Sequence, residues 1–253
     1  MKHKFFLYVF AAAALTACRA PLNVSNVQTQ KNIRILTTIP DDGAADMMIT
    51  PYKQQLEATM NAKISHTAVD LNKQGDNSNL GNLLADYTYE GAAEWASKNN
   101  IPQIDAAIIN IGGIRSTIGK GDILLKHIYE VMPFENELTI VKMKGSDMIS
   151  LFNYYLETKK NNPVSGLTIE TDAGALKTML VNSEAVNPDR DYYIATSDYL
   201  ALGGDNMAFF SKGEMIATGI KLRDLYIEKF RNNPEITAPT DIRLIFNDKK
   251  NRD

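Results

Sequence analysis

The sequence is poor in the residues that carry out chemistry unaided. It holds one cysteine and three histidines in 253 residues. With Cys18 alone, no intramolecular disulfide can form. Metal-assisted hydrolysis needs several His, Asp and Asn ligands converging on one point. Neither Asp-x-His nor Gly-Asn-His occurs. His3 lies near the N-terminus, and His66 and His127 stand in unrelated contexts that favour surface or packing roles. A Ser-His-Asp triad would need one of these, and no Gly-x-Ser-x-Gly elbow supports it. Glycine-rich phosphate and dinucleotide loops are also missing. There is no basic block and no interleaving of basic and aromatic residues, so nucleic acid is not an expected partner. No catalytic residue, metal ligand or cofactor is therefore assigned to this chain itself.

What is there is ordinary globular composition, with 44% hydrophobic residues and a formal net charge of −3. The length suits one large domain with a substantial core. The N-terminus carries Lys2 and Lys4, an apolar run from Phe5 to Leu15, and then Leu15-Thr16-Ala17-Cys18. This reads as a signal peptide over residues 1–17, too short for a stable membrane span. Leu-x-Ala-Cys at that place resembles the bacterial lipobox. The resemblance implies cleavage before Cys18 and diacylglyceryl attachment to its sulfur. The mature chain is then expected to be lipid-anchored in the cell envelope, periplasmic or on the outer-membrane surface. Residues 18–43, rich in Asn, Gln, Thr and Asp, read as a tether, with a short strand possible over 33–37. Residues 44–253 form the expected domain.

Within that domain, helical spacing runs over 44–60 and, more strongly, from Leu80 to Lys98 with Asn79 as cap. Ala106 to Ile111 is a short apolar run that predicts a buried strand. Asp122 is expected to cap a helix reaching Val131. A strand is expected from Leu138 to Met143, a helix from Gly145 to Lys159 stopped by Asn161-Asn162-Pro163, and two or three strands from Gly166 to Val181. Tyr192 to Thr196 reads as a strand, Gly213 to Phe230 as largely helical, and Ile242 to Phe246 as a last strand. There is no clean βαβ repeat, so the fold class is α+β.

Several segments in and beside these elements carry amides, glycines, aromatics and acids in a telling order: Asn79-Leu-Gly-Asn82, Asn110-Ile-Gly-Gly-Ile-Arg115, Gly121-Asp-Ile123, Pro133-Phe-Glu-Asn136, Ser165-Gly166 and Tyr199-Leu-Ala-Leu-Gly-Gly-Asp205. This set resembles the C-terminal, substrate-binding domain of the 5′-nucleotidase family. The resemblance spans roughly residues 44–246 and implies that family's layered α/β/β/α-type fold. It implies that Phe134 and Tyr199 sandwich a base and that Asp205 accepts from ribose hydroxyls. Asn136 and Gly166 match positions near the base edge. Asn110 and Arg115 match groups that orient the nucleotide, and Gly112 and Gly113 let backbone approach it.

The family commonly carries an arginine shortly before the Asn-Leu-Gly-Asn segment. Here Lys73-Gln74-Gly75 occupies that place, which leaves Lys73 as the candidate cation for phosphate. Relatives also carry an N-terminal metallophosphatase domain with two metal ions. The resemblance thus implies the nucleotide-binding half of a phosphohydrolase, with divalent metal supplied by a separate metallophosphatase partner. The alternatives are a non-catalytic nucleoside- or nucleotide-binding surface lipoprotein, or a fold kept for interaction alone.

Overall fold

The computed structural model describes Val24, residues 26–32, Arg34, Leu36 and residues 42–247. The expected signal segment, Cys18 and most of the expected 33–37 strand lie outside these residues. The chain divides into two compact units, residues 1–48 and 49–253. In the first, the described residues ahead of Asp42 are exposed and carry no regular secondary structure. Helix α1 (Gly43–Met60) buries none of its residues. Among the described residues, no helix is long and apolar enough to cross a membrane.

The larger unit is α+β and is organised by a mixed five-stranded sheet in the order β10-β4-β9-β2-β5. Its strands are β2 (Ala106–Ile108), β4 (Glu137–Lys144), β5 (Val164–Ser165), β9 (Asp191–Ser197) and β10 (Glu214–Lys221). β2 and β9 run parallel, while β4 is antiparallel to both β9 and β10. Side chains alternate across this sheet, as a strand's twofold period requires. Leu138 and Ile140 enter one apolar cluster, and Val141 and Met143 enter the other. Ala195 and Ile194 divide in the same way. The sheet is therefore covered on both faces.

One face receives α2 (Asn79–Lys98) and α6 (Leu222–Asn232). The apolar stripe of α2 buries Leu80, Leu83, Leu84, Tyr87 and Ala92. Gly91 lets α6 come close, because a Cβ there would lie 2.5 Å from a Leu225 methyl. A three-stranded sheet, β11 (Glu235–Ile236), β1 (Lys63–Thr67) and β3 (Gly121–Leu124), adds Ile123 and Ile236 to this core, and α3 (Leu125–Val131) adds Leu125 and Ile128. The other face receives α4 (Gly145–Thr158), whose Met148, Leu151, Phe152 and Tyr155 are buried. The four-stranded sheet β12 (Leu244–Phe246), β6 (Leu167–Asp172), β7 (Ala175–Val181) and β8 (Glu184–Ala185) closes that core.

Three expectations about local structure are corrected. Glu214–Lys221 is a strand, and the helix begins only at Leu222. The alternating Ile216, Thr218 and Ile220 set a twofold period, and Ile216 and Ile220 pack on the first core. Asp122 does not cap a helix. It lies in β3, exposed, and accepts a 2.7 Å ion pair from Lys63 that holds its pKa down. The cap of α3 is Leu124, whose amide donates to His127 Nδ1 at 3.1 Å. Asn79 is the first residue of α2, after the cap Ser78. Its carboxamide closes the preceding loop by accepting from Asn72 N (2.8 Å) and donating to Asp70 O (2.9 Å).

Candidate nucleoside-binding cleft

Strand direction brings three distant loops to one edge of the central sheet. β2 and β9 are parallel neighbours, so their C-terminal ends emerge together. β4 is antiparallel to β9, with Leu138 opposite Ser197, so the start of β4 meets the end of β9. The connections at that edge are Asn110 to Arg115, Pro133 to Asn136, and Asp198 to Asn206. Thr196 Oγ1 ties the two parallel ends by donating to Ile108 O at 2.8 Å.

A cleft of about 380 Å³ opens there. It is lined by Asn110, Gly112, Gly113, Arg115, Phe134, Asn136, Tyr199 and Asp205. These are eight of the nine candidate residues. Gly166 is not among them. It lines a separate polar depression with Ser165, Asn182 and Arg243. Its backbone is closely packed there: its φ is +72° and a Cβ would lie 2.5 Å from Asp105 O.

Each loop is held by identifiable contacts. Ile111–Gly113 forms one 3-10 turn, closed by Gly113 N donating to Asn110 O at 3.0 Å. Asn110 folds over it so tightly that a Cβ on Gly113 would lie 2.7 Å from Asn110 Oδ1. Arg115 is fixed through its amide to Val131 O (2.9 Å) and through Nη1 to Gly112 O (3.1 Å). Among the described residues no carboxylate pairs with its guanidinium, so most of its donors stay open to a ligand.

The Pro133 to Asn136 loop is clamped by α6. Leu222 N donates to Asn136 O at 2.9 Å. Arg223 donates to Pro133 O at 3.2 Å, pairs with the Glu135 carboxylate, and lies 4.6 Å over the Tyr129 ring. This leaves Phe134 projecting, 42% exposed. Tyr199 is 44% exposed. Two large rings held half-open at one cleft differ from the usual fate of aromatic side chains, which is burial.

The Tyr199 hydroxyl does what phenylalanine could not. It donates to Asp205 Oδ1 and accepts from Asp205 N, both at 3.2 Å. The turn between them depends on Gly204, where a Cβ would lie 2.5 Å from Tyr199 Cζ. Asp205 itself sits at φ 52°, ψ 25°, left-handed backbone that costs a non-glycine residue about 1 kcal/mol. Its carboxylate has no cation partner among the described residues. An unpaired arginine and an unpaired carboxylate therefore open on the same cleft as two exposed rings.

The segment expected to supply a phosphate-binding cation does not reach the cleft. Lys73 Nζ donates to Ile114 O at 2.5 Å, and Gln74 is exposed. Neither lines the cleft. His66 pairs with Glu235 at 2.9 Å and His127 serves the start of α3, so both have local structural partners.

The family model for the 5′-nucleotidase C-terminal domain matches residues 58–212, more than half of the chain. The chain belongs to the 5′-nucleotidase C-terminal domain family. Among curated relatives of this family, it is 29% identical to the trifunctional nucleotide phosphoesterase protein YfkN of Bacillus subtilis, over 74% of this chain and 14% of that protein. It is 28% identical to the protein UshA of Yersinia enterocolitica, over 70% of this chain and 32% of that protein. The chain thus spans about a third or less of the length of these relatives. A 5′-nucleotidase precursor from Thermus thermophilus shares the fold with a TM-score of 0.69 and 24% identity, over 83% of this chain and 44% of the other. The NAD nucleotidase of Haemophilus influenzae gives 0.61 and 20%, over 81% of this chain and 41% of the other.

Four residues of the site escaped the sequence reading: Arg223, Tyr154, Asn162 and Gly204. The last lay inside a quoted motif without an assigned role. The others touch the loops from behind and carry no local pattern that marks them.

Proposed function

We propose that this family member binds the nucleoside part of a nucleotide and serves as the substrate-binding half of a 5′-nucleotidase-type phosphohydrolase. The observation that carries the reading is the meeting of Phe134, Tyr199 and Asp205 at one cleft beside the open guanidinium of Arg115. Stacking on two aromatic faces contributes roughly 1–3 kcal/mol per base and tolerates any base. Asp205 Oδ2 remains available to accept from ribose hydroxyls, while Oδ1 is held by Tyr199. Arg115 and Asn110 orient the 5′ side. The volume lies at the lower end of the roughly 300–1,000 Å³ of small-molecule sites, which suits a nucleoside or mononucleotide.

In this reading phosphoester cleavage belongs to a separate metallophosphatase that brings the divalent metals and the attacking water. Lipid attachment at Cys18 would hold this half at a membrane surface of the cell envelope, beside a partner placed the same way. Lys73 is engaged with Ile114, so grip on phosphate falls to Arg115 and to the partner. The decisive assay is AMP hydrolysis with divalent metal, by this chain alone, by a candidate metallophosphatase, and by the two together. A combined rate well above the partner's own rate is expected, and Phe134→Ala or Asp205→Ala should abolish the gain. A combined rate no higher than the partner's alone would count against the split enzyme. Tight nucleoside binding by the chain alone, without any such gain, would instead favour a binding lipoprotein.

A further inference from the structure

Behind the cleft, a single buried hydrogen-bonded chain joins two of its three loops. Ile111 N, at the start of the Gly112-Gly113 turn, donates to Asn162 Oδ1 at 3.0 Å. Asn162 Nδ2 donates to the Tyr154 hydroxyl at 2.9 Å. That hydroxyl donates to Asp205 O at 3.2 Å. Asn162 is 1% exposed and Tyr154 is 6% exposed. The polarity of the chain is fixed, because an amide N–H can meet only the carboxamide oxygen, which turns the NH₂ group toward Tyr154. Every link is then used once. The Tyr155 hydroxyl adds a bond to Asn162 O at 3.1 Å, and the Tyr154 ring is held edge-on by Tyr155 and Phe209. Burial raises the Tyr154 hydroxyl to about 12, so it stays a donor at neutral pH.

This chain ends on the carbonyl of the one cleft residue with strained backbone. A left-handed aspartate persists only where its surroundings over-determine it. Tyr199 pins it from the cleft side and Tyr154 from the core side.

We propose that Asn162 and Tyr154 form one positioning unit that couples the Gly112-Gly113 turn to the Asp205 loop and so sets affinity for the ribose of the ligand. The ribose clause rests on the nucleoside reading above. Neither residue lines the cleft, so neither touches ligand. Satisfied buried networks of this kind act as a whole, and a cut at one link is felt at both ends.

The experiment uses the full chain with Tyr154→Phe, which keeps the ring and cuts the chain at its Asp205 end, and Asn162→Ala, which cuts it at its Ile111 end. Amide hydrogen exchange is read first, without ligand. At both the Ile111 and Asp205 amides it should rise about fivefold to tenfold, the effect of losing one hydrogen bond, with Ile108 and Ile194 unchanged. Change confined to one loop, or to neither, would overturn the coupling. NMR titration with adenosine and with adenine follows. Adenosine binding should weaken about fivefold and adenine binding should hold. In an Asp205→Ala background, Tyr154→Phe should weaken adenosine no further. Equal losses for adenine and adenosine would overturn the ribose clause. If the unsubstituted chain binds neither, the nucleoside reading fails, and the exchange arm still decides whether the two loops are coupled.

Discussion

Arg243 offers the sharpest test of how the site is supported. Its side chain is 11% exposed and makes a bidentate pair with Asp86 at 2.8 and 2.9 Å. It also pairs with Asp241 at 2.6 and 3.1 Å and donates to Val164 O at 2.7 Å. Val164 opens β5, two residues after Asn162, so this guanidinium fastens the chain on which the buried network stands. Arg243→Met keeps the apolar stem and removes every donor. The Val164 carbonyl, fully buried, loses a bond to a charged donor that is worth about 1.5 kcal/mol. Asp86 is 27% exposed and recovers part of its hydration, so its pair contributes about 1–2 kcal/mol. Asp241 is 58% exposed and adds no more than about 0.5 kcal/mol. The total is about 2.5–4 kcal/mol, or a drop in Tm of about 5–16 °C for a domain of this size. Urea and thermal unfolding followed by circular dichroism measure it. A loss under about 1 kcal/mol would refute the reasoning, since it would mean that the buried carbonyl and both carboxylates are satisfied without the arginine.

Arg223→Ala frees the Pro133 to Asn136 loop from its bonds to Pro133 O and Glu135 and from the Tyr129 ring. Global stability should fall by only about 1–2 kcal/mol, because Glu135 is exposed and the cation–π contact is single. Nucleobase binding should weaken by at least as much as the stability falls, and unchanged adenine affinity in an NMR titration would contradict the clamp. Acid should also weaken the fold through Asp241. Its pKa is held below the ordinary 3.8, chiefly by the hydrogen bond from Arg243. A depressed carboxylate contributes stability that is present above the unfolded value and is lost as the pH falls through the folded one. Asp241→Asn should therefore flatten the fall in stability below pH 3.8, read as unfolding midpoints from pH 5 down to 2, and an unchanged slope would exclude that contribution.

The parts of this protein that could be read in the sequence are those whose physics is local. The stripe of Leu80, Leu83, Leu84 and Tyr87 specifies α2 because i, i+3, i+4 and i+7 share one helix face. The run from Leu138 to Met143 gives β4 almost to its ends. Where two periods compete, the reading failed. Glu214–Lys221 continues into a true helix, and its Gly219 and mixed polarity obscure the alternation of Ile216, Thr218 and Ile220. The eight residues that line the cleft were legible only through the resemblance of their motifs to a known family, since a glycine pair or a lone loop aromatic says little by itself. The same resemblance put Gly166 among them, because a closely packed glycine looks the same in sequence as one that admits a ligand. Arg223, Tyr154 and Asn162 were invisible for the opposite reason. Their roles exist only through contacts with residues far along the chain, 90 positions away in the case of Arg223 and Pro133.

What makes the cleft is strand direction, which no single motif encodes. Asn110 to Arg115 leaves the end of β2, and Asp198 to Asn206 leaves the end of β9. Because these strands are parallel neighbours, both loops stand on one edge. Were β9 reversed, its seven residues at about 3.3 Å each would carry Asp205 to the far edge, roughly 20 Å from Asn110. The pairing of Ala106 with Ile194 and of Leu138 with Ser197 therefore decides whether three loop motifs become a site or remain three turns. It also explains why the buried network runs where it does. Among the described residues the Asn110 to Arg115 and Asp198 to Asn206 loops share no backbone hydrogen bond, and a side-chain chain from below, Asn162 to Tyr154, can hold these two at a fixed spacing without filling the space a ligand would take.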